Sequence, residues 1–217
     1  MSEHADVASA LLADLDVLVL AGGRGSRLGG ADKSALVFRS EPIRRHVLTA
    51  VRAARRVVWV GESTRALLED AWQGLVVTRE RPAFAGPSAA IAAGLAAIGP
   101  DAARFTLVLA ADLPRAADAV PELLRRFAMA DGGVIAVDGT GRRQFLLGVY
   151  PSAALRREVA QYAAADGLDG VPLRRLIDAI ELTEVQLDGD LCADIDTPAD
   201  AARHGIRLPV LTGSDIS

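Results

Sequence analysis

Residues 20–36 have the sequence LAGGRGSRLGGADKSAL and follow directly on the apolar run Val17-Leu18-Val19-Leu20. These seventeen residues contain five glycines, two arginines and one lysine. A buried strand followed by a glycine-rich basic loop brings backbone N–H groups close to phosphates, because glycine has no Cβ to hold a phosphate oxygen away from the amide. The stretch therefore predicts a phosphate-binding loop at the end of a central strand.

The loop fits neither of the two common phosphate motifs. Asp32 precedes Lys33-Ser34 where the P-loop pattern requires glycine, and Leu28 occupies the position of the third glycine of GxGxxG. Three basic side chains in one loop favour a ligand with more negative charge than a dinucleotide pyrophosphate, such as a nucleoside triphosphate bound lengthwise. The alternative is a glycine-rich surface turn with solvated charges.

The pattern L-A-G-G-x-x-x-R-x-G-G-x-D-K, from Leu20 to Lys33, resembles the signature loop of the molybdenum cofactor guanylyltransferases (MobA-like), which are nucleotidyltransferases with a Rossmann-like fold. Leu28 stands where that family more often has Met. The resemblance implies that the loop wraps the triphosphate and that Arg27 and Lys33 contact its phosphates. Cytidylyl and sugar-nucleotide transferases share LAAG or LAGG and the later Arg and Lys, but the doubled Gly29-Gly30 followed by Asp32-Lys33 is closer to the guanylyl branch.

Composition restricts the protein class. The chain has 217 residues, 51% of them hydrophobic, with a formal net charge of −4 and a pI near 5.4. This acidity argues against a general nucleic-acid surface, so we expect no nucleic-acid partner.

Cys192 is the only cysteine, which excludes an intrachain disulfide and predicts a buried thiol in a reducing compartment. No apolar run approaches the ~20 residues of a membrane span, and the N-terminus lacks a basic segment, so we expect a cytoplasmic protein with no membrane partner.

Strand and helix patterns alternate along the chain. Apolar runs predict strands over 16–21, 57–61, 75–78, 105–111 and 133–138. Helical spacing predicts one helix over 42–56 and another over 64–73, with Ser63 as N-cap of the second. The arginines of the first helix are expected on its solvated face, and the alternative is a basic face for nucleic acid. The alternation of strands and helices predicts a mostly parallel sheet with helices on both faces. The resemblance implies a single three-layer Rossmann-like α/β/α sandwich of the nucleotide-diphospho-sugar transferase type. We expect one nucleotidyltransferase domain over 1–207 and a loose C-terminal tail over 208–217.

A second motif follows the third predicted strand. Gly86-Pro87-Ser88 precedes an alanine-rich segment and predicts a helix N-terminus. It resembles the family segment that holds the base and ribose, although Ser88 stands where Leu is usual. Glu80, in the acidic and basic stretch before it, is the candidate for a base or ribose contact. The alternative for Glu80 is a plain connection between strand and helix.

A third motif, Asp112-Leu113-Pro114, follows the strand predicted over 105–111. A carboxylate at the carboxyl end of a central strand suits a divalent cation, which nucleotidyl transfer needs to offset phosphate charge. The resemblance implies the same, because D-x-P matches the metal site of the family. The alternative is that Asp112 caps the helix predicted over 115–128.

The C-terminal part supplies candidate acceptor residues. Gln144 matches the first residue of the family's Q-P-L strand, which faces the pterin substrate, whereas Phe145 replaces the proline. Asp194 and Asp196 replace the asparagines of the family's N-x-N-T-P motif. Asp196 is expected to share the cation with Asp112. The alternative at this motif is a helix N-cap at Thr197, and both features are compatible.

Together these residues predict a Mg²⁺-dependent nucleotidyltransferase. The resemblance implies transfer of GMP from GTP to molybdopterin as its molybdenum cofactor, with release of pyrophosphate, and transient contact with molybdoenzymes or cofactor-biosynthesis proteins. The alternatives are a cytidylyl or sugar-phosphate nucleotidyltransferase of the same fold and a non-catalytic GTP-binding regulator. The predicted catalytic residues are Arg27, Lys33 and Asp112, the metal ligands Asp112 and Asp196, and the acceptor contacts Gln144, Asp194 and Asp196. The predicted nucleotide contacts are Leu20, Ala21, Gly22, Gly23, Arg24, Gly25, Ser26, Arg27, Lys33, Glu80, Gly86, Pro87 and Ser88.

Overall fold

A computed structural model of the chain describes residues 2–22, 32–165, 167–193, 195 and 197–206. The helices in these ranges are Ser2–Ala13 (α1), Ile43–Ala50 (α2), Arg65–Asp70 (α3), Pro87–Ile98 (α4), Ala116–Phe127 (α5), Ser152–Ala165 (α6), Leu173–Ile177 (α7), Gly189–Cys192 (α8) and Pro198–Arg203 (α9). The strands are Leu15–Ala21 (β1), Val37–Phe38 (β2), Glu41–Pro42 (β3), Arg56–Gly61 (β4), Leu75–Thr78 (β5), Phe105–Ala110 (β6), Val134–Val137 (β7), Arg143–Pro151 (β8) and Thr183–Gln186 (β9).

Seven of these strands form one sheet in the order β5-β4-β1-β6-β8-β7-β9. Strand β8 runs antiparallel to both of its neighbours, and the other adjacent pairs are parallel. The prediction of a mostly parallel sheet is confirmed. Because β8 is reversed, its first residues lie at the same edge of the sheet as the last residues of β1 and β6.

Strand β1 lies between β4 and β6 in the interior of the sheet and is buried on both faces. Val17 and Val19 belong to an apolar cluster with side chains of α1, α2 and α5. Leu18 and Leu20 belong to a second cluster with side chains of α4, α6 and α7. Continuous apolar sequence is what a strand between two helix layers requires, so the three-layer arrangement is confirmed.

Gly94 allows helix α4 to approach the sheet closely. A Cβ atom added at Gly94 would lie 2.7 Å from Leu18 Cδ2 and 3.0 Å from Val60 Cγ2. The helix therefore lies directly on β1 and β4. Its first residue, Pro87, is thereby held beside the carboxyl end of β1.

The helix predicted over 42–56 is shorter than expected. Helix α2 ends at Ala50, and Arg56 already belongs to β4. Its arginines do not all face solvent either, because Arg44 is only 8% exposed and binds the Asp70 carboxylate. Arg55 and Arg56 bind Asp101 instead of extending the helix. Contacts with residues distant in sequence overcome the local helical pattern here.

Two local predictions at helix ends have different outcomes. The N-cap of α3 is Thr64, whose side chain accepts from Leu67 N, so the prediction of Ser63 is wrong by one residue. The N-cap of α9 is Thr197, as predicted, and it forms a capping box with Asp200. No helix in the described part of the chain combines the length and apolar composition needed to cross a bilayer.

Candidate functional site

A cavity of about 370 Å³ opens at the edge of the sheet where β1 and β6 end and β8 begins. Its wall contains the following residues: Leu20, Ala21, Gly22, Asp32, Lys33, Ser34, Glu80, Gly86, Pro87, Ala90, Ala110, Ala111, Asp112, Leu113, Arg142, Arg143, Gln144, Phe145, Leu146, Leu147, Leu173 and Cys192. Ligands of open α/β sheets collect at this edge. The cavity therefore brings together residues from all three predicted motifs.

Most of the predicted nucleotide contacts in the described ranges line this cavity. They are Leu20, Ala21, Gly22, Lys33, Glu80, Gly86 and Pro87. The remaining loop candidates, Gly23, Arg24, Gly25, Ser26 and Arg27, lie outside the described residues, and their contacts stay predictions.

Lys33 and Asp112 form an ion pair inside the cavity. Lys33 Nζ lies 3.3 Å from Asp112 Oδ2, and each side chain is about one-fifth exposed, at 19% and 20%. Asp112 directly follows β6 and the adjoining Ala111. Helix α5 begins after Arg115 without a side-chain capping bond, so the alternative that Asp112 caps this helix is wrong. The carboxylate lines the cavity and can take part in its chemistry.

Asp32 sets the position of Lys33, a role that the sequence reasoning missed. Its Oδ1 accepts from Ser34 N at 3.0 Å and from Ser34 Oγ at 2.7 Å, which starts the 3-10 helical turn Lys33–Ala35. An Asp two residues before a Ser is a known local capping pattern and was a usable signal in the sequence. Lys33 therefore projects from a hydrogen-bonded turn into the cavity.

Lys33 is the only lysine in the chain, where lysine and arginine together number 24. All the others are arginines, including those in surface ion pairs with Asp101, Glu122 and Glu184. An ammonium group is a compact charge with three donors, whereas a guanidinium is a wide planar fork. The cavity thus contains the one position at which this chain uses the compact cation.

Glu80 carries a buried carboxylate in the cavity wall. The residue is 5% exposed, and its Oε1 accepts from Phe84 N at 2.8 Å. Its Oε2 is buried and has no hydrogen-bond partner among the described residues. A buried acceptor without a donor costs free energy, and such a group in a cavity wall is suited to a ligand that brings the donor.

Ser88, the remaining predicted nucleotide contact in the described ranges, does not line the cavity. Its side chain is fully buried and its Oγ donates to the Val171 carbonyl at 2.9 Å, which ties α4 to the segment before α7. The structure therefore does not bring this side chain to the cavity in which the other predicted nucleotide contacts lie.

The opposite wall of the cavity is formed by the start of β8. Gln144 lines it, and its Nε2 donates to Asp138 Oδ2 at 2.7 Å, while its contact with the acceptor stays a prediction. Arg143 is held by Glu184 Oε1 at 2.6 Å and Asp178 Oδ1 at 3.2 Å. Asp194 and Asp196, the other predicted acceptor contacts, lie outside the described residues.

Cys192 closes this wall with a buried thiol, as predicted. Burial raises the pKa of the thiol to about 11, so the group is protonated near neutral pH. It is therefore a small apolar neighbour of the ligand space rather than a nucleophile.

The described residues supply a limited set of metal ligands. They contain no group of three His, Cys, Asp or Glu side chains arranged to hold a cation. Mg²⁺ commonly binds one or two carboxylates and takes its other ligands from water and substrate phosphates. The single Asp112 carboxylate therefore fits a magnesium ion that arrives together with a triphosphate.

Comparisons with known proteins agree with this geometry. The family model described as the MobA-like NTP transferase domain matches residues 17–185. A molybdenum cofactor guanylyltransferase of Pseudomonas putida KT2440 is 31% identical over 171 residues, covering 77% of this chain and 87% of the relative. A second, from P. putida GB-1, is 30% identical over 180 residues, covering 83% and 88%.

Solved structures share the fold. Molybdopterin-guanine dinucleotide biosynthesis protein A of Archaeoglobus fulgidus superimposes with a TM-score of 0.61 at 19% identity, over 88% of this chain and 96% of that chain. The 2-C-methyl-D-erythritol 4-phosphate cytidylyltransferase of Thermus thermophilus gives the same four values. The predicted nucleotidyltransferase fold is confirmed, and the fold alone does not distinguish the guanylyl from the cytidylyl branch.

Proposed function

This chain belongs to the MobA-like NTP transferase family, and from that premise we propose that it transfers GMP from GTP to the phosphate of molybdopterin as its molybdenum cofactor. The products are the guanine dinucleotide form of the cofactor and pyrophosphate. The observation that carries this proposal is the pairing of Lys33 with Asp112 in the cavity. One is a cation suited to phosphate and the other a carboxylate suited to Mg²⁺, and curated guanylyltransferases align over most of the chain.

In this reaction an oxygen of the acceptor phosphate attacks the α-phosphorus of GTP. The bond between the α-phosphorus and the bridging oxygen to the β-phosphate breaks, and pyrophosphate leaves with that oxygen. The acceptor phosphate is already anionic, so no strong general base is needed. Catalysis therefore depends on alignment and on stabilisation of the developing charge.

Lys33 is assigned to the phosphates of GTP, together with Arg27 of the loop. Its ammonium group offsets the negative charge that grows on the leaving pyrophosphate. Asp112 would hold Mg²⁺, which offsets phosphate charge when bound. Before the nucleotide binds, the Lys33 and Asp112 side chains neutralise each other across 3.3 Å. Binding of a Mg²⁺-triphosphate gives each of them a partner of opposite charge.

Glu80 is assigned to the base. Its unpartnered Oε2 is an acceptor in the wall that also contains Gly22 and Gly86. Guanine offers two neighbouring donors, N1–H and the exocyclic amine, which match Oε2 and the remaining lone pair of Oε1, since Oε1 also accepts from Phe84 N. Uracil and adenine lack this pair on one edge. The chemistry of Glu80 thus favours guanine.

The proposed setting is the cytoplasm, where the sole thiol, Cys192, stays reduced. The reaction is tested by measuring pyrophosphate release from purified protein with Mg²⁺, molybdopterin and each of GTP, CTP, ATP and UTP. Release with GTP alone is expected. Release with CTP alone would move the protein to the cytidylyl branch, and GTP binding without release under any condition would favour a regulator.

A further inference from the structure

The half-buried side chain of Asp138 accepts four hydrogen bonds. Its Oδ1 accepts from Thr140 N at 2.8 Å, Thr140 Oγ1 at 2.6 Å and Arg142 N at 3.1 Å. Its Oδ2 accepts from Gln144 Nε2 at 2.7 Å. The carboxylate therefore ties the turn between β7 and β8 to a side chain in the cavity wall.

These contacts keep Asp138 ionised. The hydroxyl of Thr140, the amides of Thr140 and Arg142, and the Gln144 amide hold the pKa of this carboxyl below its usual range. An ionised carboxylate accepts hydrogen bonds and donates none.

The charge state of Asp138 determines which way the Gln144 amide faces. Only the NH₂ group of Gln144 can donate to Asp138, so the Oε1 atom must point away from it. No hydrogen bond to Gln144 Oε1 occurs among the described residues, and this oxygen is not among their buried unpartnered atoms. Gln144 therefore presents an accessible acceptor oxygen of fixed orientation at the wall of the cavity.

We propose that Asp138 is a positioning residue for the acceptor substrate, which it serves by holding Gln144 so that Oε1 accepts a hydrogen bond from an N–H group of that substrate. The inference rests on the proposed function, because it assigns the β8 wall to the acceptor. A pterin ring system carries N–H donors at its edge and fits this requirement. An acceptor that offers only carbonyl or ether oxygens at that place leaves Gln144 without a donor and is selected against.

The test uses substitutions that exchange the hydrogen-bond donor and acceptor between residues 138 and 144. In Asp138→Asn, the introduced amide nitrogen donates to Gln144 Oε1, which turns the glutamine amide over and presents an N–H group to the cavity. Adding Gln144→Glu restores an acceptor oxygen, because the introduced amide then donates to one carboxylate oxygen and leaves the other for the substrate. In both variants the Oδ1 atom of residue 138 still accepts from Thr140 and Arg142, so the turn is kept.

The matched control is Thr140→Ala, which removes one hydrogen bond to the same carboxylate without touching Gln144. If residue 138 only stabilised the turn, Asp138→Asn would affect molybdopterin binding no more than this control does. For each protein, kcat and KM are measured for GTP and for molybdopterin. The dissociation constant of molybdopterin is measured separately by the quenching of pterin fluorescence.

We expect Asp138→Asn to raise KM and Kd for molybdopterin about tenfold while KM for GTP changes less than about twofold. The double variant is expected to return the molybdopterin values to within about threefold of wild type, and Thr140→Ala to leave them unchanged. Any of three results would overturn the inference: an unchanged molybdopterin Kd in Asp138→Asn, equal effects of that variant on both substrates, or no recovery in the double variant. The proposed function would still stand in these cases if the wild-type protein turns over. A wild-type protein that neither binds molybdopterin nor releases pyrophosphate would overturn both.

Discussion

Lys33 Nζ and Asp112 Oδ2 lie 3.3 Å apart, which joins the turn that follows the glycine-rich loop to the end of strand β6. The two residues are distant in sequence but meet because β1 and β6 are parallel neighbours in the sheet. Each is about one-fifth exposed, so their charges are only partly screened by water. The pair marks the place where a triphosphate and its cation are expected to bind.

Replacing Lys33 by Met should lower kcat for pyrophosphate release by about 10²–10³, because one preorganised donor to the leaving group is lost. The fold should be unaffected, since the Lys33 side chain is partly exposed in the cavity and belongs to neither apolar cluster. Steady-state kinetics and thermal unfolding measure the two effects. The matched control is Arg125→Met, which removes a cation bound to Glu122 on α5 and should leave kcat unchanged. Wild-type turnover in Lys33→Met would contradict the role of this lysine.

The single lysine makes a chemical test possible. Pyridoxal 5′-phosphate followed by borohydride should modify one side chain, Lys33, and activity should fall in proportion to that modification. Mg²⁺ with GTP should slow the modification, because the bound phosphates pair with the Lys33 ammonium group and shield it from the reagent. Peptide mapping separates Lys33 from the N-terminal amine. A fully modified Lys33 with retained activity would show that this side chain does not contact the nucleotide.

Asp112→Asn should weaken Mn²⁺ binding in the presence of GTP and abolish most turnover, because the amide replaces the carboxylate as the metal ligand. Stability should fall by no more than about 1 kcal/mol, since Asp112 forms no helix cap and its ion pair with Lys33 is partly exposed. Isothermal titration with Mn²⁺ and a non-hydrolysable GTP analogue measures the affinity. Asp118→Asn, on the exposed first turn of α5, is the matched control. Equal Mn²⁺ affinity in wild type and Asp112→Asn would remove Asp112 from the metal site.

Glu80→Gln should raise KM for GTP by about tenfold or more and reduce the preference for GTP over other nucleotides, because the amide offers one acceptor where the carboxylate offers two. Competition among the four nucleoside triphosphates in pyrophosphate release measures the preference. The variant should not be less stable than wild type by more than about 1 kcal/mol, since Oε2 has no protein donor to lose among the described residues. An unaltered preference for GTP would show that Glu80 does not contact the guanine base.

Gly94→Val should lower the free energy of unfolding by about 1–3 kcal/mol, because its side chain overlaps Leu18 and Val60. Urea denaturation measures the change. Gly132→Val is the matched control, since an added Cβ there meets no atom within 4 Å, and it should change stability by less than about 0.5 kcal/mol. Equal effects of the two substitutions would show that α4 does not need this close approach.

The sequence predicts the central sheet and much of the cavity for a simple reason. An apolar run such as 17–20 has few alternatives to a buried strand, and parallel strands end at one edge. Lys33, Glu80 and Asp112 each follow a strand and accordingly line one cavity. Their spacing alone indicates the edge but not the ion pair, which depends on the order of the strands across the sheet.

Other features depend on contacts between residues far apart in sequence. Ser88 has the pattern of a helix start, yet its hydroxyl donates a hydrogen bond to the Val171 carbonyl, which belongs to a segment with no motif. The orientation of Gln144 depends on Asp138, which it meets only because β7 and β8 form an antiparallel pair. Local patterns contain no information about such partners, so these contacts emerge only from the folded chain.

The central claim is that the protein moves the nucleotidyl group rather than a terminal phosphate. It is tested most directly by incubating the protein with Mg²⁺, molybdopterin and GTP labelled with ³²P at either the α- or the γ-phosphate. We expect the α-label to enter the pterin product and the γ-label to appear only in pyrophosphate. Transfer of the γ-label to the pterin, or no transfer of the α-label from GTP, would contradict the account.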